Sequence, residues 1–562
     1  MGGDPDHLPL LGDRRDRRDP WDRHLPRHAR RGGVAVPAAL SLADLEPNAV
    51  AGGSLRNANV VVLGAGRTGQ AVAAFAAAHG ARVTLHDSAE ANTLAAAVDQ
   101  FSDGSVALAF GAAADLAPLL ATADLVVHSP AVTLGFPTVK PHVAKPLAEY
   151  AERAIGPTAD PALRGPILIS EPEWAIRLLG ARWRVGITGT KGKTTTSNLI
   201  AQILAADTVH PAELGGNNGA PLIGKAMDLS RDARVVLELS ELQLPSLHSS
   251  IDVAVYTNIT VDHLDRHGTV DGYRKVKRIL ADRVADGGLL IVNLDDPVTA
   301  SLAGIGRVTT IGYRRERPVP GGVGVVDGWI VAAGVPRSAR CGGGIAATGP
   351  GGRILPVDEV ALPGEHSISN VLAAVSVGLV AGIAPDAIRS AVAAFRGVPH
   401  RLETIAVLDG IRYVNDAQAT QPDAVAAAVS SFRKPLVLLA GGRSKGLDLH
   451  ELAPIVARQC SGAVLFGELA DELEAMFRAS GMTEIDRATS IPDAVARGGA
   501  LARKILSTTE ASPNATLHES EARATVLLSP IGSSFDMFNN PFGARGEAFR
   551  EAVHALPAEE RR

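Results

Sequence analysis

The stretch GITGTKGKTTT (186–196) puts a glycine-rich turn between an apolar strand and the lysine and threonine that open a helix. That order suits a polyphosphate. Backbone N–H groups of Gly189, Thr190, Lys191, Gly192 and Thr195 can cradle phosphate oxygens, Lys193 can reach the outermost of them, and the Thr194 hydroxyl can take a divalent cation. The spacing is not the common G-x-x-x-x-G-K-[ST], because Ile187 stands at the first glycine's place and the glycine falls at 186. Further on, Glu238 closes the strand-like run RVVLEL, where a carboxylate is expensive to desolvate unless a cation meets it. Brought beside Thr194 it would complete a magnesium site; an acid at a helix N-terminus is the plainer reading. His263 lies in DHLDRH after another apolar run, at the same strand-end edge as the loop, and Lys277 follows in a helical stretch. By type alone each can equally be an ordinary surface or core residue.

A second glycine cluster comes earlier. In VVVLGAGRTGQ (60–70), Gly64, Gly66 and Gly69 complete G-x-G-x-x-G between an apolar strand and an alanine-rich helix expected from Gln70. Such a turn lets a diphosphate approach the backbone, and Asp87, after a strand expected over residues 82–86, stands where a ribose hydroxyl can be bound. A dinucleotide, another nucleotide and a plain strand–helix turn all remain open on this cluster alone.

These residues need a scaffold, and the pattern supplies one. Apolar β-branched strands alternate with alanine-rich stretches in three blocks, from Asn59 to about Gly180, from WRVGITGT (183–190) onward, and from about PHRLE (399–403), the signature of parallel sheets covered by helices. Glycine and proline cluster over 318–354, which predicts turns and short strands at the edge of the second block. A chain of 562 residues exceeds what one core accommodates. A net charge of −5, with Lys and Arg spread rather than striped, gives no footprint for nucleic acid. Cys341 and Cys460 form no disulfide or metal pattern, which fits a reducing cytoplasm, and no apolar run is long enough for membrane insertion. Residues 1–53, with the charge-dense GDRRDRRDPWDRHLPRHARRGG, are expected to be a disordered extension.

Taken together, GTKGKTTT, ELSELQL (238–244), NITVDHLDRH (258–267), LPGEHSISN (362–370), PHR (399–401), ND-x-x-AT (415–420), GGRSKG (441–446) and LLSPIGSSFDMF (527–538) occur in the order found in the Mur ligases, which assemble the cell-wall peptide. The chain resembles that family over about residues 55–555. The resemblance implies three α/β domains in series: a Rossmann-like UDP-binding domain (54–182), a P-loop ATPase-like central domain (183–398) and a Rossmann-like C-terminal domain that binds the amino acid (399–562). It implies ATP and magnesium, with UDP-N-acetylmuramoyl-L-alanine and D-glutamate as substrates joined through an acyl phosphate, in a monomer. Lys193 would steady the phosphates, Thr194 and Glu238 would hold one magnesium, and His263 a second. Lys277 matches a lysine carbamylated by carbon dioxide, so its amine should be partly buried and its pKa lowered.

Asn217 matches an asparagine near the reacting carboxylate, and Asn370, Arg401 and Asp416 match nucleotide contacts. The Gly64–Gly69 turn then becomes a UDP site, with Arg67 and Thr68 at the diphosphate, Asp87 and Ser88 at uridine, and Ser129 facing the substrate. Gln418, Ser534 and Phe542 would meet D-glutamate. Five positions differ from the usual family residues: Ser367 for asparagine, Glu241 and Leu242 for serine and phenylalanine, Ala131 for glycine, and Gln418 for a lysine that meets a carboxylate of the acceptor. Gln418 donates a hydrogen bond but brings no charge, so a different acceptor is the alternative, with Lys445 a candidate replacement cation. A folylpolyglutamate-type ligase lacks the first domain, a dehydrogenase leaves the ATP loop unexplained, and a non-catalytic regulator should have lost Lys193, Glu238, His263 or Lys277.

Overall fold

The computed structural model describes residues 39–132, 139–217, 221–305, 308–362, 365–419, 422–443, 449–508, 522–532 and 543–556. Two compact units divide the chain, Met1–Phe395 and Arg396–Arg562.

The first unit holds two sheets. Five parallel strands, β1 (Asn59–Leu63), β2 (Arg82–Asp87), β3 (Ala107–Phe110), β4 (Leu125–His128) and β5 (Ile167–Ser170), take the order β3-β2-β1-β4-β5. The order reverses between β1 and β4, and the crevice at such a reversal is where doubly wound sheets take ligands. The second sheet has nine strands: β6 (Trp183–Thr188), β7 (Ala212–Gly216), β8 (Arg234–Glu238), β9 (Ile251–Tyr256), β10 (Val284–Asn293), β11 (Thr309–Tyr313), β12 (Val323–Val326), β13 (Trp329–Ala332) and β14 (Arg353–Pro356), in the order β14-β13-β12-β11-β10-β9-β6-β8-β7. β6 lies between β8 and β9, parallel to both, so the ends of three strands surround the phosphate loop. The antiparallel strands β13 and β14 form the edge expected over 318–354.

Both sheets contribute to one hydrophobic cluster that runs from Val60, Val72 and Trp174 to Leu222, Leu237, Tyr256 and Leu290. That shared core makes one compact unit of what the sequence pattern reads as two blocks. It also takes in part of the expected extension. Residues 42–45 form a 3-10 turn and Pro47–Ala51 a short helix, with Leu42, Leu45 and Val50 buried. Trp174 Nε1 donates to the Leu45 carbonyl (3.2 Å), and Phe75 meets the Trp174 ring edge-on at 5.4 Å. The disordered reading therefore fails for residues 39–53. Their apolar side chains are too few to show periodicity, but they cover Trp174.

Helix starts are written locally. Ser170 caps Glu171–Leu178 by accepting from Glu173 N (3.3 Å), and Thr269 caps Val270–Asp282 by accepting from Gly272 N (3.0 Å). In the second of these helices Tyr273, Val276, Lys277, Leu280 and Ala281 are the buried face, a spacing that carries Lys277 into the interior.

The second unit is a six-stranded sheet of β15 (Glu403–Leu408), β16 (Ile411–Asn415), β17 (Leu436–Gly441), β18 (Gly462–Phe466), β19 (Ile485–Ala488) and β20 (Ala524–Ile531), ordered β15-β16-β20-β17-β18-β19, parallel except for β15. The fold is thus α/β throughout. Among the described residues no helix is long and apolar enough to cross a membrane.

Leu45→Ala should destabilise the protein by about 2–5 kcal/mol, the usual range for emptying a core leucine site. Thermal or urea unfolding checks this, and a change under about 0.5 kcal/mol, typical of a surface position, would contradict the burial of this segment.

Candidate active site

The phosphate loop runs from the end of β6 into the helix Lys193–Leu204. Gly192 is its N-cap with φ 82°, and a side chain there would also collide with Asn370 Oδ1. Only glycine lets the loop turn under that amide. Asn370, on the helix Glu365–Val380, is thereby brought against the loop. The loop is laced to the end of β9: Thr190 N donates to Asn258 O (2.8 Å), Lys191 N to Asn258 Oδ1 (3.0 Å) and Thr257 Oγ1 to Lys191 O (2.6 Å).

Two lysines converge on this loop. Lys193 Nζ donates to the carbonyls of Gly189 (2.9 Å) and Thr190 (2.8 Å). Lys277 Nζ, fully buried, donates to that same Gly189 carbonyl (2.9 Å) and to Thr188 Oγ1 (3.2 Å). Burial first, and the neighbouring Lys193 second, push Lys277 down to about 7, with Glu241, Asp262 and Glu238 working the other way. Tyr273, one helical turn before Lys277, sets its ring 5.4 Å from the ammonium, and its hydroxyl pairs with Thr190 Oγ1 at 3.0 Å. Sequence reasoning passed over Tyr273, although its spacing of four from Lys277 places both on one helix face.

Facing these cations is Glu238, buried at the end of β8. Asn217 binds it twice, by Asn217 N to Glu238 O (2.8 Å) and Nδ2 to Oε1 (3.2 Å). Glu238 Oε2 is buried with no hydrogen-bond partner among the described residues. An orphaned carboxylate oxygen is costly in an apolar interior and suits a site that takes a cation. Thr194, at the first turn of the helix, is buried also. His263 opens a short turn of helix, Leu264–His267, with φ 49°. Its Nε2 stands 3.6 Å from both Glu241 Oε1 and Asp262 Oδ2. Arg266 reaches the same Glu241 oxygen at 3.1 Å. Burial works to raise the Glu241 carboxyl, but Lys277 and His263 hold it below its ordinary value. Among the described residues no group of three or more His, Cys, Asp or Glu gathers into a protein-only metal cage. Magnesium is commonly held by one or two protein oxygens, with phosphate oxygens and water completing its shell.

In the first sheet, the helix after β1 begins at Arg67, three residues earlier than expected, with Arg67 and Thr68 in its first turn. A side-chain carbon on Gly69 would collide with the Gly64 carbonyl, so glycine alone allows this close approach of helix and strand. Gly64 faces Ser129 across the β1/β4 reversal, where a Cβ on the glycine would lie 2.9 Å from Ser129 Cβ. Asp87 is the last residue of β2 and gives its carboxylate to backbone, accepting from Ala65 N (2.8 Å) and Ala89 N (2.9 Å), so it also braces the loop. Ser88 follows it, partly buried.

In the second unit, Asp416 is buried and accepts from Leu402 N (3.1 Å) and Ser529 Oγ (3.0 Å). Burial pushes it up to about 7, against those bonds and the pull of Arg401. Gln418 folds back on the same turn, its N donating to His400 O and its Nε2 to Pro399 O, each at 3.2 Å. Arg401, Asp416 and Gln418 are thus gathered on one loop pair. Ser534, Phe542 and Lys445 lie outside the described residues.

Against this geometry, three family profiles match the chain: the Mur ligase middle domain over residues 187–378, the Mur ligase MurD-like N-terminal domain over 58–148, and the Mur ligase glutamate ligase domain over 400–508. A UDP-N-acetylmuramoylalanine--D-glutamate ligase of Pelotomaculum thermopropionicum is 34% identical over 498 residues, 88% of this chain and 97% of that one. The protein of the same name from Symbiobacterium thermophilum is 35% identical over 499 residues, again 88% and 97%. The crystal structure of a UDP-N-acetylmuramate-alanine ligase from Thermotoga maritima aligns at 15% identity over 89% of this chain and 100% of that one, with a TM-score of 0.49.

The buried Lys277 predicts a pH signature. Its folded pKa, about 7, lies below the unfolded value of 10.5, so the unfolded chain binds more protons between them and stability must rise with pH across that window. Lys277→Met removes the contribution. The melting temperature of the wild type minus that of the variant should climb from pH 7 toward alkaline pH; a flat difference would contradict the placement.

Proposed function

The chain belongs to the Mur ligase family, and from that premise we propose that it is the ATP-dependent ligase that adds D-glutamate to UDP-N-acetylmuramoyl-L-alanine in the synthesis of peptidoglycan precursors. A carboxylate oxygen of the alanyl substrate attacks the γ-phosphorus and ADP leaves. The amine of D-glutamate then attacks the acyl carbon of the acyl phosphate, loses a proton and displaces phosphate, leaving an amide. Extensive identity to relatives that carry this name supports the acceptor, and the placement of Lys193, Lys277 and Glu238 around the phosphate loop supports the chemistry.

The observation that carries the reading is the loop itself. It holds two lysines on one carbonyl and an orphaned carboxylate oxygen opposite them, a place built for anions and a cation rather than for an empty interior. Lys193 Nζ donates to two backbone carbonyls, bonds that phosphate oxygens can replace with charge-assisted ones. Asn217 holds Glu238, and we assign it to orienting the reacting carboxylate. Thr194 and Glu238 are the residues we assign to magnesium, with His263 assisting a second ion. When bound, magnesium would neutralise the phosphates so that two anions can meet. A lysine amine depressed to about 7 is neutral in about half of the molecules at pH 7, and the neutral amine is the nucleophile that attacks carbon dioxide and loses a proton, so Lys277 suits the carbamate that the family resemblance implies.

We assign the β1/β4 crevice, with Arg67, Thr68, Ser88 and Ser129, to the UDP portion, and Asp87 to bracing that crevice as well as to uridine. Asn370 is assigned to the nucleotide at the phosphate loop. Arg401 and Asp416 are read as further nucleotide contacts, and Gln418, Ser534 and Phe542 as contacts of the amino acid. The free thiols Cys341 and Cys460 fit a cytoplasmic enzyme.

Phosphate release from ATP, with UDP-N-acetylmuramoyl-L-alanine, magnesium and bicarbonate, tests the reading. D-glutamate should support turnover and L-glutamate should not. Activity confined to another amino acid would replace the acceptor while keeping the chemistry, and no release with any acceptor would refute the ligase.

A further inference from the structure

The turn after β8 carries an acid, Glu241, where the family resemblance leads one to expect serine. Glu241 is not a surface residue: its side chain is 7% exposed. It follows the buried Glu238 by three residues, in a turn fixed by Gln243, whose Oε1 accepts from Ser240 N (3.0 Å) and Ser240 Oγ (3.2 Å). Glu241 Oε1 reaches across to the 262–267 turn, where it meets Arg266 Nη1 at 3.1 Å and His263 Nε2 at 3.6 Å.

Val261 and Leu264 are exposed, 61% and 40%, so the segment gains little from apolar burial. His263 sits at φ 49° and ψ 39°, a left-handed conformation that costs a non-glycine residue on the order of 1 kcal/mol and persists only when neighbours enforce it. Its own backbone N–H is satisfied by Asp262 Oδ1 (2.9 Å), and Thr260 N is tied to Thr190 Oγ1 (3.0 Å) on the phosphate loop. The backbone is therefore anchored on one side of His263; on the other, Arg266 pairs with Glu241, and the imidazole stands 3.6 Å from both Glu241 Oε1 and Asp262 Oδ2.

We propose that Glu241 is a positioning residue, which fixes the His263 imidazole against the end of β8 so that it faces the phosphate loop. The inference rests on the assignment of His263 to the reaction site. A serine hydroxyl is too short to span the same gap. Outer-shell carboxylates set the orientation and basicity of histidines in this way, and their loss typically costs 10–100-fold in activity or affinity.

A double-mutant cycle decides it. Glu241→Ser should lower kcat by about tenfold or more while KM for ATP stays within about twofold, and Glu241→Gln, which keeps the length and an acceptor for Arg266, should recover part of the loss. In a His263→Ala background, Glu241→Ser should cost less than about twofold further, because the group it positions is gone. Equal losses in both backgrounds, or an unchanged kcat in Glu241→Ser, would overturn the proposal. If His263→Ala alone is fully active, the assignment of His263 fails instead, a distinct result. A readout free of turnover is the side-chain 15N spectrum of His263 in the nucleotide-free protein. Its signals should shift in Glu241→Ser, and an identical spectrum would also overturn the proposal.

Discussion

Two ammonium groups share the carbonyl oxygen of Gly189. Lys193 approaches from the helix that opens after the loop and Lys277 from the helix Val270–Asp282, each at 2.9 Å, so their nitrogens are at most about 6 Å apart. At an effective dielectric of about 20, like charges at that separation repel by on the order of 3 kcal/mol, and Lys277 is fully buried besides. The fold resolves the conflict in two ways. It depresses Lys277 toward neutrality, and it surrounds the pair with the carboxylates of Glu238 and Glu241. A polyanion entering the loop would relieve the same repulsion, which is why a structure that crowds its cations without a ligand is suited to phosphate.

The scaffold explains why that crowding persists. β6 lies between β8 and β9, so the loop, Glu238 and the Thr257–Asn258 corner emerge at one sheet edge. The amphipathic face of the lysine-bearing helix is packed by Tyr273, Val276, Leu280 and Ala281, and these apolar neighbours keep Lys277 from swinging out to water. Tyr273 adds a hydroxyl tie to Thr190 and an aromatic face under the ammonium.

Much of this was legible in the sequence, and the parts that were not have physical reasons. The phosphate loop, the strand ends and the glycine cluster at 64–69 are local patterns in which spacing dictates backbone geometry. Glu238 and Lys277 were recognisable as candidates, but the Gly189 carbonyl that joins Lys277 to Lys193 is a contact across nearly ninety residues of chain and leaves no local trace. Asp87 stands after β2 where a ribose hydroxyl can be bound, and that both its oxygens also accept from backbone N–H groups is a role that no motif announces. Residues 39–53 were lost to the charge-dense stretch before them. Their buried apolar side chains, Leu40, Leu42, Leu45 and Val50, matter because Trp174 needs cover, and that need is visible only in the folded core. Glu241 stood out as a departure from the family pattern, yet its reach to His263 and Arg266 depends on a turn conformation that the residue types do not announce.

The central claim is that burial and Lys193 together hold the Lys277 amine near neutrality. The direct measurement is an NMR pH titration of lysine side-chain nitrogens in 15N-labelled, nucleotide-free protein, with the Lys277 signal identified by its loss in Lys277→Met. A midpoint near 7 is expected, moving upward in Lys193→Met as the like charge is removed. A midpoint in the ordinary lysine range, unmoved by Lys193→Met, would contradict the account.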